Sequence, residues 1–129
     1  MRISKHDYYL QIASAVAQRS TCTRRQYGAV LVKNDRIIAT GYNGSARGEV
    51  NCCDGGTCVR QGLPHNVGYT SACPAVHAEQ NALLSAGREA EGATLYLAGF
   101  DAFGQIDAPT PCEICRRFII NAGVKEVIS

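Results

Sequence analysis

The sequence has no apolar run approaching the roughly 18 residues that a membrane-spanning helix requires, because Arg, Lys, Asp or Gly interrupts every candidate. Its opening residues, Met1-Arg2-Ile3-Ser4-Lys5-His6-Asp7, lack the apolar centre of a secretory signal, so a cytoplasmic protein is expected. It also lacks a charge imbalance. Thirteen Lys and Arg against eleven Asp and Glu leave a net +2, too even for a protein that holds nucleic acid mainly through its field. Internal repeats and low-complexity tracts are absent. The 129 residues make one domain, 1–129, and 46% hydrophobic with 19% charged residues is the balance of a globular chain rather than a disordered one.

Cysteine is what the sequence has in excess. Seven in a chain without an export signal do not read as a disulfide framework, so metal binding or catalysis is the better explanation. A free cysteine can be a small buried hydrophobe, which suits one or two of them but not pairs at ligand spacing.

Residues Ser4 to Arg19 read as a helix, since Tyr9, Ile12, Ala13, Val16 and Ala17 form one apolar stripe and Ser4 with Asp7 resembles a capping box. Two β-type runs follow, Tyr27 to Val32 and Arg36 to Thr40, joined as a hairpin through Lys33-Asn34-Asp35. From Gly41 to about Ala75 periodicity disappears, and a stretch of that length needs a functional reason or a metal clip. Val76 to Ala86 is a second helix ended by Gly87, and Ala93 to Ala98 a buried strand. Gly99 to Ala108 is irregular. A third helix then begins, with Thr110 as N-cap, Pro111 in its first turn and Glu113 completing a capping box. Val124 to Ile128 is the last strand. Helices alternating with the later strands, after an initial hairpin, predict a mixed α/β sheet covered by helices.

The chemistry is carried by two helix starts. Cys112 and Cys115, at i and i+3, place two sulfurs on one helical face, and His77 supplies a nitrogen. Two sulfurs and one nitrogen suit zinc, and three protein ligands leave a fourth position for water. Glu79 stands beside that position, because side chains in the first turn lean past the helix end. His-x-Glu followed by Pro-Cys-x-x-Cys is the signature of zinc nucleobase deaminases, here His77-Ala78-Glu79 with Pro111-Cys112-Glu113-Ile114-Cys115. The competing reading is a structural zinc clip with Glu79 as a surface carboxylate, although structural zinc normally takes four protein ligands.

The chain resembles the deoxycytidylate deaminase branch of the cytidine deaminase superfamily. Further blocks carry the resemblance: Gln26-Tyr27-Gly28-Ala29-Val30-Leu31-Val32, Thr40-Gly41-Tyr42-Asn43-Gly44-Ser45, His77-Ala78-Glu79-Gln80-Asn81-Ala82 and Gly92-Ala93-Thr94-Leu95-Tyr96. The resemblance implies a three-layer α-β-α fold with a mixed sheet of four to five strands. It implies zinc-dependent hydrolysis of dCMP to dUMP and ammonia, with Glu79 as the proton carrier and Asn43 on the sugar or phosphate. Cys22 and Cys52 match positions that supply part of a second, structural zinc in some members, with Cys58 and Cys73 as candidates for the rest and His65 in reserve. The alternative is a set of free thiols in a reducing cell. Arg47, in a loop of small residues, and Arg24 are candidates to hold a phosphate, against the alternative of solvated arginines. His6 and His65 have no assigned role, and Tyr8-Tyr9 reads as packing.

Three features depart from the family pattern. Ala98 to Ala108 intervenes between strand and Pro-Cys motif, where it is expected to act as a lid or to reshape the pocket. Tyr69 to Val76 lacks the Arg expected in many relatives. The chain also stops at Ser129, so the sheet is expected to end at four strands, with its exposed edge covered in a homo-oligomer. Deamination of a free nucleoside or another aminated ring remains the alternative activity. A nucleic-acid deaminase is disfavoured by the charge balance, and a non-catalytic zinc module by Glu79.

Overall fold

The computed structural model describes residues 1–55, 58–60, 63 and 72–129. In chain order the elements are α1 (Lys5–Ala17), β1 (Gln26–Lys33), β2 (Arg36–Tyr42), β3 (Gly44–Ser45), α2 (Cys52–Gly55), β4 (Ala75–Val76) and α3 (Ala78–Ala86). A 3-10 turn (Gly87–Ala90) leads to β5 (Thr94–Phe100), β6 (Ile106–Asp107), α4 (Glu113–Asn121) and β7 (Glu126–Ile128). The mixed sheet has five strands, with β1 between β2 and β5 and antiparallel to both. On the far side of β5, β7 pairs in parallel along Thr94–Tyr96 and β6 antiparallel at Gly99–Phe100, so the sheet is only four strands wide. Among the described residues no helix is long and apolar enough to cross a membrane.

Period-two alternation along β1 and β5 builds two cores. Ala29, Leu31, Leu95 and Leu97 face α3 and α4, packing on Ala78, Ala82 and Ile119. Val30, Val32 and Tyr96 face the other way, onto Tyr9 and Ala13 of α1. Leu31, Leu95 and Leu97 are fully buried, each contributing about 1.5–3 kcal/mol of transfer free energy. The helices sit unusually close to the sheet at two glycines. A Cβ on Gly28 would lie 2.1 Å from Ala13 O, and one on Gly41 2.4 Å from Ala82 N.

The hairpin turn is where expected. Asn34 and Asp35 both have positive φ, 53° and 60°, the backbone of a two-residue turn matched to sheet twist. Asp35 is also an anchor for α1, accepting from Tyr9 Oη at 2.6 Å and Lys5 Nζ at 2.8 Å. The hydrogen bond to Asp35, then burial, pushes the Tyr9 phenol up to about 12, while the bonds from Lys5 and Tyr9 hold Asp35 below its ordinary value. A phenol whose folded pKa exceeds its unfolded value contributes stability that is complete below pH 10 and is lost as pH rises from 10 to about 12. Urea midpoints of the parent should therefore fall across that window, and those of Tyr9→Phe should fall less. Equal slopes would remove Tyr9 from the account. His6, given no role above, meets Tyr96 Oη at 2.8 Å on the same face.

Four sequence boundaries need correction. The first helix is shorter, with Ser4 as its cap accepting from Asp7 N at 3.1 Å. The second begins at Ala78 rather than Val76, because Ala75–Val76 pairs with Gly44–Ser45 and closes the two ends of the long loop. The stretch Gly99 to Ala108 is not irregular but a hairpin. Asp101 Oδ1 accepts from Phe103 N and Gln105 N at 2.9 and 3.0 Å, folding the chain back so that β6 can pair. Finally, the cap of the third long helix, α4, is Cys112 and not Thr110.

Candidate active site

Two helix N-termini converge at the end of the sheet where β2 and β5 finish and β1 starts. His77 is the N-cap of α3, with extended backbone (φ −74°, ψ 155°), and its N–H donates to Gln80 Oε1 at 2.9 Å. Cys112 is the N-cap of α4, likewise extended (φ −66°, ψ 167°). Its sulfur performs the capping task expected of a threonine hydroxyl, accepting from Cys115 N at 3.4 Å. That substitution explains the shifted helix start: with the cap at Cys112, both sulfurs face the end of α3.

His77 Nδ1 lies 3.2 Å from Cys115 Sγ and 3.6 Å from Cys112 Sγ, and the three donor atoms are all within 4.8 Å of one another. Tetrahedral zinc with Zn–S of about 2.3 Å and Zn–N of about 2.0 Å has ligand–ligand edges of about 3.5–3.8 Å, so the donor set fits that ion. The N-terminal ends of both helices direct partial positive charge at this point. Cys115 is fully buried, and its thiol is pushed far up, first by burial, then by the charge of Glu79 and the neighbouring Cys112. A cation reverses that balance, because it pairs with the very charges that burial penalises. Glu79 is itself buried, 6% exposed, and lies against Cys115. A carboxylate enclosed beside three metal-type donors is equipped to exchange protons with a molecule bound there.

The other candidate residues are distributed differently. Asn43 is buried at the end of β2, but its side chain is engaged by main chain: Oδ1 accepts from Tyr27 N at 2.8 Å and Nδ2 donates to Arg25 O at 3.0 Å. One N–H and one lone pair remain for a ligand. Arg47 is exposed after β3, and Arg24 donates to Arg60 O at 3.5 Å. Cys22, Cys52, Cys58 and Cys73 are half-buried neighbours, and none of the seven cysteines is disulfide-bonded. Burial, then the proximity of Cys22, Cys73 and Cys58, pushes the Cys52 thiol up. No three of them come within 4.8 Å of one another; among the described residues only His77, Cys112 and Cys115 do so. His65 lies outside the described residues.

Sequence reasoning assigned no structural role to three supporting residues. Gln80, three after the cap, carries a capping-box signal that could have been read. Asn81 donates Nδ2 to Tyr42 O at 2.8 Å, and Arg25 pairs with Asp107 of β6 at 2.9 Å; both join elements far apart in sequence and leave no local signal.

Known proteins resemble this chain in sequence and in fold. The model of the cytidine and deoxycytidylate deaminase zinc-binding region matches residues 3–129. The chain is 42% identical over 130 residues to deoxycytidylate deaminase of Schizosaccharomyces pombe, with 98% of this chain but only 37% of that protein aligned. Deoxycytidylate deaminase of Mycobacterium phage D29 is 41% identical, with 95% of this chain and 91% of that protein aligned. The chain thus spans under two-fifths of the fission-yeast relative and nearly all of the phage one. The crystal structure of dCMP deaminase from cyanophage S-TIM5 in complex with dCMP and dUMP superposes with a TM-score of 0.71 at 30% identity, covering 98% of this chain and 81% of that one.

Proposed function

The chain belongs to the family that shares the cytidine and deoxycytidylate deaminase zinc-binding region, and from that premise we propose that it hydrolyses the 4-amino group of a cytosine nucleotide, converting dCMP to dUMP and ammonia. The observation that carries the reading is the enclosed Glu79 carboxylate beside the His77, Cys112 and Cys115 donors. His77, Cys112 and Cys115 would hold zinc, which would supply a Lewis acid that makes water nucleophilic near neutral pH. Glu79 takes the proton of that water and passes it to ring N3 as oxygen adds to C4. The same carboxylate then carries a proton to the exocyclic nitrogen, and ammonia leaves as the C4–N bond breaks. Its burial keeps bulk water from competing for these transfers. The remaining N–H and lone pair of Asn43 face the sugar in this reading, with Arg47 and Arg24 available to the phosphate. The S-TIM5 enzyme, whose structure holds dCMP and dUMP, supports the choice of substrate.

Residues 1–129 act as one cytoplasmic zinc domain in this account. A second, structural zinc that clips the long loop would draw Cys22, Cys52, Cys58 and Cys73, half-buried neighbours of which no three lie within 4.8 Å of one another, into one donor set. The apolar side chains of Phe118 and Ile120, exposed on α4, support a homo-oligomer, expected as a single species heavier than 13.8 kDa by light scattering. Loss of the cytosine absorbance band with dCMP but not with deoxycytidine is the expected result for zinc-loaded protein. Equal turnover of both would favour a nucleoside deaminase, and turnover of neither would remove the reading. Metal analysis of the same sample is expected to give two zincs per chain; one would remove the structural site.

A further inference from the structure

Asn81 follows His77 by four residues, and its main-chain N–H closes the first turn of α3 on His77 O at 3.0 Å. Its side chain serves a different purpose. Asparagine is a poorer helix former than alanine by about 0.5 kcal/mol, so the position is not filled to stabilise the helix. Instead Nδ2 reaches across to Tyr42 O, 2.8 Å away, at the last residue of β2. Tyr42 directly precedes Asn43, whose side chain and main chain tie the end of β2 to Tyr27 and Arg25.

The packing of α3 on β2 makes this bond informative. Gly41 brings the sheet against Ala78 and Ala82, and those contacts are between backbone and small apolar groups. They fix how close the helix lies, but being non-directional they leave its rotation and slide along the sheet weakly defined. A hydrogen bond from the helix to a main-chain carbonyl is directional and fixes both. Rotation of α3 moves His77 and Glu79 together, because they sit at its cap and in its first turn.

We propose that Asn81 is a positioning residue: through Tyr42 O it locks the first turn of α3, and with it His77 and Glu79, to the end of the sheet that carries Asn43. This rests on the reading of the site given above. It sets the spacing between the group that moves protons and the side chain facing the sugar, while Asn81 itself touches neither substrate nor metal.

The test uses Asn81→Ala and the shape-preserving Asn81→Asp in the zinc-loaded and cobalt-substituted full chain. Removing the support behind a metal ligand and base should lower kcat for dCMP about 10–100-fold while KM moves less than about threefold. The cobalt d–d bands, which report the His-Cys-Cys geometry without any turnover, should shift or broaden in both variants. A folded variant with parent-like kcat and parent-like cobalt bands overturns the proposal. Unfolding of Asn81→Asp overturns it as well, since the bond would then hold the domain rather than the centre. If the parent deaminates neither dCMP nor deoxycytidine, the proposed function fails, and the cobalt spectra still decide the role of Asn81.

Discussion

Glu79→Gln is expected to retain zinc at the parent stoichiometry and to lose turnover of dCMP by about 10³–10⁴-fold, the upper part of the range for a general acid–base. The substitution keeps size and shape at a buried position, so the fold has no reason to change. The three donors are His77, Cys112 and Cys115, so metal retention is expected too. What disappears is the ability to accept a proton from water and return it to N3 and then to the leaving nitrogen. The loss belongs at the top of the range because, in the proposed mechanism, one group serves both transfers, and the donor cluster among the described residues holds no carboxylate that could take its place. His77→Ala and Cys112→Ala should behave differently, losing zinc and turnover together. Metal content and absorbance at the cytosine band, measured on the same preparations, separate the two classes. A Glu79→Gln protein within tenfold of the parent would sink the assignment of Glu79.

The site was legible where chemistry imposes local spacing. Cys112 and Cys115 must be three apart to share a helix face, and His77 and Glu79 must occupy a cap and a first turn to point past the helix end, so both halves can be read from short strings. The two strands of the first hairpin were legible for the same reason, since Asn34-Asp35 between apolar runs fixes a tight turn. Thr110 misled because threonine before proline is the commoner cap, and only the metal-type donor set makes a cysteine preferable there. The β5–β6 hairpin was missed because Gln105 to Asp107 lacks β-type alternation; its geometry comes from the Asp101 side chain and from the Arg25–Asp107 pair, 82 residues apart. Asn43 shows the limit from the other side. Its type and place suggested a ligand contact, yet two of its hydrogen-bonding groups are spent on the main chain of the segment before β1 and the start of β1 itself, a commitment visible only when those elements are brought together.

Gly41→Ala and Gly28→Ala are expected to destabilise the fold alike and to affect turnover differently. Each added Cβ meets backbone rather than a flexible side chain: Ala82 N and Ala78 O at 2.4 and 2.5 Å for Gly41, Ala13 O and Ala17 N at 2.1 and 2.5 Å for Gly28. Neither contact can be relieved by a rotamer change, so a helix must move away from the sheet. Overpacking of this kind costs about 1–3 kcal/mol and more where backbone is trapped, enough to lower the thermal midpoint of a domain of this size by several degrees. The helices displaced are not equivalent. Gly28 backs α1, which packs on the opposite face of the sheet and holds no residue of the centre. Gly41 backs α3, whose cap is His77 and whose first turn carries Glu79. A shift of about 1 Å in catalytic geometry is sufficient for a loss on the order of 10²-fold, so the folded fraction of Gly41→Ala should turn over dCMP far more slowly than the parent. The folded fraction of Gly28→Ala should keep nearly parental kcat. Activity per folded molecule, measured well below each variant's melting range, distinguishes the two. Equal losses would mean that both faces of the sheet bear on the centre, and that the close approach of α3 at Gly41 has no special part in placing Glu79.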